Sequence, residues 1–187
     1  EYLWLFTDSG ISRFNKKLHN TLSFTDRPEM RYPMIRDLLV ESDRFWLATR
    51  SGVLIYDPGS AVWRNFQEES GLPSRHVQSL TVSSGRRWFL TDGGVAAFDE
   101  SRRTWQRYGK AQGMSSERFE VTASFRDRIF FISGTAIDSY KPSEDRWYTY
   151  TLRGIATGND TRIRRISLDR EKGSYVQVTP DLRLSLS

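Results

Sequence analysis

Four segments of this chain superimpose on one another at a single spacing. Trp4, Trp46, Trp88 and Phe130 stand 42 residues apart. Thr7, Thr49, Thr91 and Ser133 keep the same offset, as do Phe14, Tyr56, Phe98 and Tyr140. A second aromatic series runs through Trp63, Trp105 and Trp147, trailed by Phe66, Tyr108 and Tyr150. Gly10, Gly52 and Gly94 mark one turn, and Gly71 and Gly113 mark another. Self-similarity at a period of roughly 40–50 residues belongs to β-propeller blades or to helical arrays.

Residue type chooses between the two. Phe45-Trp46-Leu47-Ala48-Thr49 and Val53-Leu54-Ile55-Tyr56 are short apolar runs around a Ser51-Gly52 turn. Such a pair reads as a hairpin, with the glycine supplying positive φ. Asp92-Gly93-Gly94 and Asp8-Ser9-Gly10 repeat the turn, whereas Ser133-Gly134-Thr135-Ala136 shifts its glycine, which predicts a different turn there. Each unit supplies four strands. The first is an apolar run (Ile35–Val40, Val77–Val82, Phe119–Ser124 and, more weakly, Ile163–Leu168). The second carries the tryptophan, the third ends at the Tyr or Phe before Asp, and the fourth carries Trp63, Trp105 or Trp147. No stretch shows a helical period, so the expected fold is all-β: a propeller of four-stranded antiparallel blades.

The whole chain, 1–187, reads as a single propeller domain or fragment, with blade units near 1–34, 35–76, 77–118, 119–162 and 163–187. The first unit opens in its second strand (Tyr2–Thr7). Ser174–Thr179 and Leu182–Ser187 resemble the second and third strands of a fifth unit. The two ends do not sum to one blade, so part of a longer propeller is expected over a compact four-bladed ring.

The aromatic share of 13% is phased with the repeat, which assigns these rings to packing between blades. The net charge of +5 permits an acidic partner. The absence of cysteine excludes disulfides, thiolate metal sites and cysteine nucleophiles. No apolar run of about 18 residues exists, so a membrane is expected only through a fused segment. The densest basic cluster, Arg162–Arg165 with Arg170 and Lys172, lacks the exposed aromatics that a nucleic-acid surface would want, and no nucleic acid is expected.

In 71–80 (Gly-Leu-Pro-Ser-Arg-His-Val-Gln-Ser-Leu), 88–95 (Trp-Phe-Leu-Thr-Asp-Gly-Gly-Val) and Phe98-Asp99 the unit resembles the two-component regulator propeller repeat. The match is strongest from Arg36 to Gly113 and degenerates after Thr135, where Ser133 replaces Thr and Ala136 replaces Gly. The resemblance implies a bacterial periplasmic or extracellular sensor-type propeller that does no chemistry and binds a ligand, often saccharide-like, or a protein partner.

In a propeller, the loops from fourth to next first strand and from second to third strand emerge on one face. That register gathers Pro33 and Met34, Arg75 and His76, Glu117 and Arg118, and Thr161 and Arg162 at the channel mouth. Arg75, His76, Glu117, Arg118 and Arg162 are therefore the expected ligand-binding residues, suited to a carboxylate, a sulfate or an acidic sugar. The competing expectation makes them solvated rim charges balanced by Glu68, Glu69 and Glu117. His76 and His19 are the only histidines, without metal-ligand spacing. Asp37 on a first strand is a candidate channel carboxylate, but Ser79 and Glu120 or Val121 do not repeat it. No catalytic residue, metal or cofactor is thus expected. A channel lyase or hydrolase and a scaffold of an envelope or secretion assembly are the alternative functions. Asp57 and Asp99, with Asn15, are expected to cap turns, and the threonine series to brace the hairpins.

Overall fold

The computed structural model describes residues 2–7, 10–24, 34–41, 44–66, 71–133 and 136–151, and the backbone of 174–178 and 182–186. Pro33, Glu68, Glu69, Thr161 and Arg162, the Ile163–Leu168 segment and the rest of the basic cluster lie outside the described residues, as do Gly134 and Thr135.

Five antiparallel sheets follow one another along the chain. The first has three strands: β1 (Tyr2–Thr7), β2 (Gly10–Asn15) and β3 (Asn20–Ser23). The second holds β4 (Asp37–Glu41), β5 (Arg44–Thr49), β6 (Gly52–Asp57) and β7 (Val62–Phe66). The third holds β8 (Val77–Ser83), β9 (Arg86–Thr91), β10 (Gly94–Asp99) and β11 (Thr104–Tyr108). The fourth holds β12 (Val121–Phe125), β13 (Arg128–Ile132), β14 (Ala136–Lys141) and β15 (Arg146–Thr151), and a hairpin of β16 (Ser174–Val178) and β17 (Leu182–Leu186) comes last. Within each sheet, strands pair in sequence order, and a 3-10 turn at Lys110–Gln112 is the one helical element among the described residues. The fold is an all-β propeller, as the repeat required. β12 begins two residues later than the apolar pattern of Phe119–Ser124 suggested, because Phe119 is spent on the core rather than on the ladder.

Alternation along the second strands builds the blade interfaces, since successive side chains point to opposite sheet faces. Trp46 faces the third sheet and meets Phe89 and Phe66, while Phe45 and Leu47 face the first sheet. Trp88 likewise faces the fourth sheet against Phe131, Tyr108 and Tyr140. Trp46 and Trp88 are fully buried. Trp4 and Phe130 are half-buried. Trp4 packs on Phe24 and Phe45 from β1, the edge of a three-stranded sheet whose residues are alternately exposed.

The outer tryptophans reach back. Trp63 stacks on Tyr56 at 4.4 Å and meets Phe24, Trp105 meets Phe66 and Phe89, and Trp147 meets Tyr108 and Phe131. Among the described residues three separate cores result, one at each interface between neighbours of the first four sheets. Burying an aromatic of this size stabilises by about 2–3 kcal/mol.

The threonine series braces the hairpins in the way its phase implied. Thr7, Thr49 and Thr91 Oγ1 donate to the carbonyls of Gly10, Gly52 and Gly94 at 3.2, 2.9 and 2.8 Å. Ser133 Oγ makes the same bond to Ala136 at 3.1 Å, so the brace survives where the glycine has moved. Gly52 has φ of 122°, and a Cβ there would fall 2.1 Å from the Phe66 carbonyl. Asn15, Asp57 and Asp99 accept backbone amides two or three residues on and fix the turns into the outer strands.

Candidate functional site

The loop entering β8 and the turn between β9 and β10 meet at one end of the third sheet. The Asp92 amide donates to the His76 carbonyl at 3.2 Å, and His76 Nδ1 lies 3.0 Å from Asp92 Oδ2. Gln78 Nε2 donates to the other Asp92 oxygen. Ser74 Oγ accepts the His76 amide at 3.2 Å, and a Cβ on Gly93 would fall 3.0 Å from the Pro73 carbonyl. The imidazole is about half exposed, 47%, so it is held but reachable. A pair of this kind on a rigid turn presents one ring nitrogen outward while Asp92 fixes the other.

Arg75 precedes this pair and is exposed. One repeat further on, Glu117 and Arg118 are exposed as well. Their loop is folded by Ser116, whose Oγ accepts the Arg118 amide at 3.0 Å. Neither the Glu117 carboxylate nor the Arg118 guanidinium has an ion-pair partner among the described residues. Met34 opens the corresponding loop of the second sheet, at 41% exposure. Of the rim-charge expectation, Glu68 and Glu69 lie outside the described residues; among those described, His76 takes its partner from the hairpin turn, at Asp92. Sequence reading treated Asp92 only as a turn former. The repeat carries no clear signal for it, since the equivalent place holds Asp8 in the first unit and Arg50 in the second.

The first strands lie side by side, and their polar groups are committed to one another. Asp37 Oδ2 accepts from Ser79 Oγ at 2.7 Å and from the Leu80 amide at 3.0 Å, and its other oxygen takes the Leu38 amide at 2.8 Å. Ser79 Oγ in turn accepts the Thr122 amide at 3.2 Å. The chain Asp37, Ser79, Thr122 thus stitches three sheets together. Asp37, the candidate channel carboxylate, is a structural acceptor with both oxygens occupied. Further out, Thr81 Oγ1 donates to Ser124 Oγ at 3.1 Å. Among the described residues, no three His, Asp or Glu side chains lie close enough to hold a metal ion.

No family model matches this chain, and no curated protein matches it. Solved structures do. The extracellular domain of the hybrid two-component system protein BT3049 from B. thetaiotaomicron aligns at a TM-score of 0.71 and 21% identity over 95% of this chain. That of BT4673 from B. thetaiotaomicron aligns at 0.75 and 11% over 95%. The chain spans 24% of the length of each. Virginiamycin B lyase from Staphylococcus aureus aligns at 0.62 and 13%, covering 84% of this chain and 54% of that one. At these identities the likeness is one of fold. In its blades and their packing, the chain is similar to the extracellular propellers of two-component systems, as its repeat pattern implied.

Proposed function

We propose that this chain is a noncatalytic sensor-type propeller of the bacterial cell envelope that recognises an anionic or saccharide-like ligand through its loop face. The residues assigned to recognition are Arg75, His76, Glu117 and Arg118, together with Arg162, which precedes the expected first strand of the next unit in the sequence. One contrast carries the reading. Asp37 and Ser79 on the first strands are consumed in blade-to-blade hydrogen bonds, whereas the loops entering the third and fourth sheets carry a histidine held by Asp92 and, one repeat on, Glu117 and Arg118, which have no ion-pair partner among the described residues. Exposed groups on loops set by a rigid scaffold are where binding concentrates, and arginine forks suit carboxylate and sulfate. The extracellular placement of the similar two-component domains supports an envelope location. Among the described residues no helix is long and apolar enough to cross a membrane.

A channel enzyme is the second reading, favoured by the fold shared with virginiamycin B lyase. The engagement of both Asp37 oxygens weighs against it, since a general base must be able to reach a substrate proton. Titration with oligogalacturonate and with a sulfated oligosaccharide, monitored by calorimetry and by product analysis, separates the two readings. Saturable binding without turnover supports the sensor. Turnover, with loss on Asp37→Asn, supports the enzyme.

A further inference from the structure

At the opposite end of the strands from His76 and Asp92, a cleft of about 630 Å³ opens between the second and third sheets. Trp46, Phe66, Phe98 and Trp105 form its apolar wall, and Arg64 and Arg103 stand at its rim. Its remaining charges are already used. Arg44 Nη1 binds Glu100 at 2.7 Å, and Asp57 accepts the Gly59 and Ser60 amides. Arg87 fills the gap behind Trp46, 4.3 Å over its ring, and pairs with Glu41 and Glu100 at 2.7 Å each. Arg64 and Arg103 are exposed and have no ion-pair or hydrogen-bond partner among the described residues.

The repeat supplies an internal comparison. One unit further on, the equivalent cleft between the third and fourth sheets is about 330 Å³ and is lined by Arg86, Gln106, Tyr140, Pro142 and Asp145. There Tyr108 replaces Phe66, Gln106 replaces Arg64, Tyr140 replaces Phe98 and Asp145 replaces Arg103. These groups close the cleft upon themselves. Tyr140 OH donates to Asp145, Tyr108 OH to Tyr140 OH at 3.5 Å, and Arg86 Nη1 to Gln106 Oε1 at 3.2 Å. Burial first, and then the Asp145 carboxylate, raise the Tyr140 phenol above its ordinary pKa, so it remains a donor. In the second–third cleft these four differences run one way: two hydroxyls are lost, and an amide and a carboxylate give way to guanidiniums; Glu100, where the next cleft has Pro142, adds a carboxylate, but Arg44 and Arg87 hold it. The same frame that elsewhere fills itself is here wider, apolar inside and cationic at the mouth.

We infer that the cleft between the second and third sheets binds a small anion carried on a flat apolar body, of the aryl carboxylate class. The ring lies against the Trp105 and Phe98 wall, and the carboxylate is held by Arg64 and Arg103. Pockets of this size with an apolar lining and a few placed polar groups suit small ligands, aromatic walls favour ring contacts, and guanidinium forks match carboxylates. The site is separate from the loop face and independent of its function.

The probe is 4-phenylbutyrate, with the uncharged 4-phenylbutan-1-ol as its partner, both titrated into the full chain by calorimetry. The carboxylate is expected to saturate with a Kd on the order of a millimolar, the range open to a ligand of its size. The alcohol is expected to bind at least about tenfold more weakly, because charge-assisted hydrogen bonds are the strong ones. Arg64→Gln and Arg103→Asp, which copy the third–fourth cleft, each weaken the carboxylate by about tenfold or more. Adding Phe66→Tyr and Phe98→Tyr removes binding altogether. Arg103 already sits at φ 55° and Asp145 at 48°, and aspartate tolerates that region, so melting temperatures should stay near wild type. Absence of saturable binding by the wild-type chain would overturn the inference. Equal affinity for the alcohol, or undiminished binding by the Arg64→Gln, Arg103→Asp double variant, would do the same.

Discussion

Gly71 lies so close to Trp105 that a Cβ on it would fall 2.4 Å from the indole ring. The glycine ends one blade and the tryptophan sits on the outer strand of the next, 34 residues on. Gly113 repeats the relation to Trp147 more loosely, at 3.4 Å. A glycine that reads as a turn marker is therefore also the floor beneath an outer tryptophan.

Gly71→Ala is expected to cost about 2 kcal/mol or more, since it combines φ of 116° with a clash against a packed ring. Gly85→Ala is the control. Gly85 has φ of 70° but open space around its missing Cβ, so it should cost only about 1 kcal/mol. Urea unfolding of the two variants measures the difference, and equal costs would show that the approach to Trp105 is not tight in solution.

Trp46→Ala and Trp88→Ala are each expected to cost about 3–5 kcal/mol, the range for deleting a fully buried large aromatic. Losses below about 1 kcal/mol in denaturant titrations would mean that these rings do not hold neighbouring blades together.

Asp37 and Ser79 should couple. Their side chains share a 2.7 Å hydrogen bond between first strands of adjacent blades. A double-mutant cycle with Asp37→Ala and Ser79→Ala should return an interaction of about 0.5–3 kcal/mol. Strict additivity would remove the proposed stitch along the channel.

Glu100 gives the stability a pH dependence. Burial pushes its carboxyl up, but hydrogen bonds and charge from Arg44 and Arg87 outweigh that and leave it below its ordinary value of 4.5. A carboxyl with a depressed folded-state pKa contributes stability that is present above the unfolded pKa and is lost as pH falls through the folded one. Glu100→Gln should therefore lower the melting temperature at pH 7 and have progressively less effect below about pH 4.5, the window set by its unfolded value. A deficit that stays constant from pH 7 to pH 3 would assign the effect to packing.

The scaffold was legible because its determinants are local and repeated. The 42-residue phase places Trp46, Trp88 and the Thr–Gly braces without reference to long-range contacts. Phe24 stands 42 residues before Phe66, but no tryptophan precedes it in the first unit to mark the outer strand. The sites were less legible, since they arise from departures from the repeat. Asp92 acquires its role only when the β9–β10 turn meets the loop before β8. The role proposed for Arg64 and Arg103 rests on Phe66 and Phe98 lacking the hydroxyls that close the next cleft. A period shows what blades share, whereas function resides in what one blade does differently.

The proposed role of the loop face is tested most directly by mapping amide chemical shifts during titration with a uronic or sulfated oligosaccharide that carries no apolar ring. The account predicts saturable shifts clustered at Arg75, His76, Asp92, Glu117 and Arg118. It further predicts that the Arg75→Ala, Arg118→Ala double variant loses them while its melting temperature stays at the wild-type value. Shifts confined to the other end of the blades, or binding unchanged in the double variant, would contradict it.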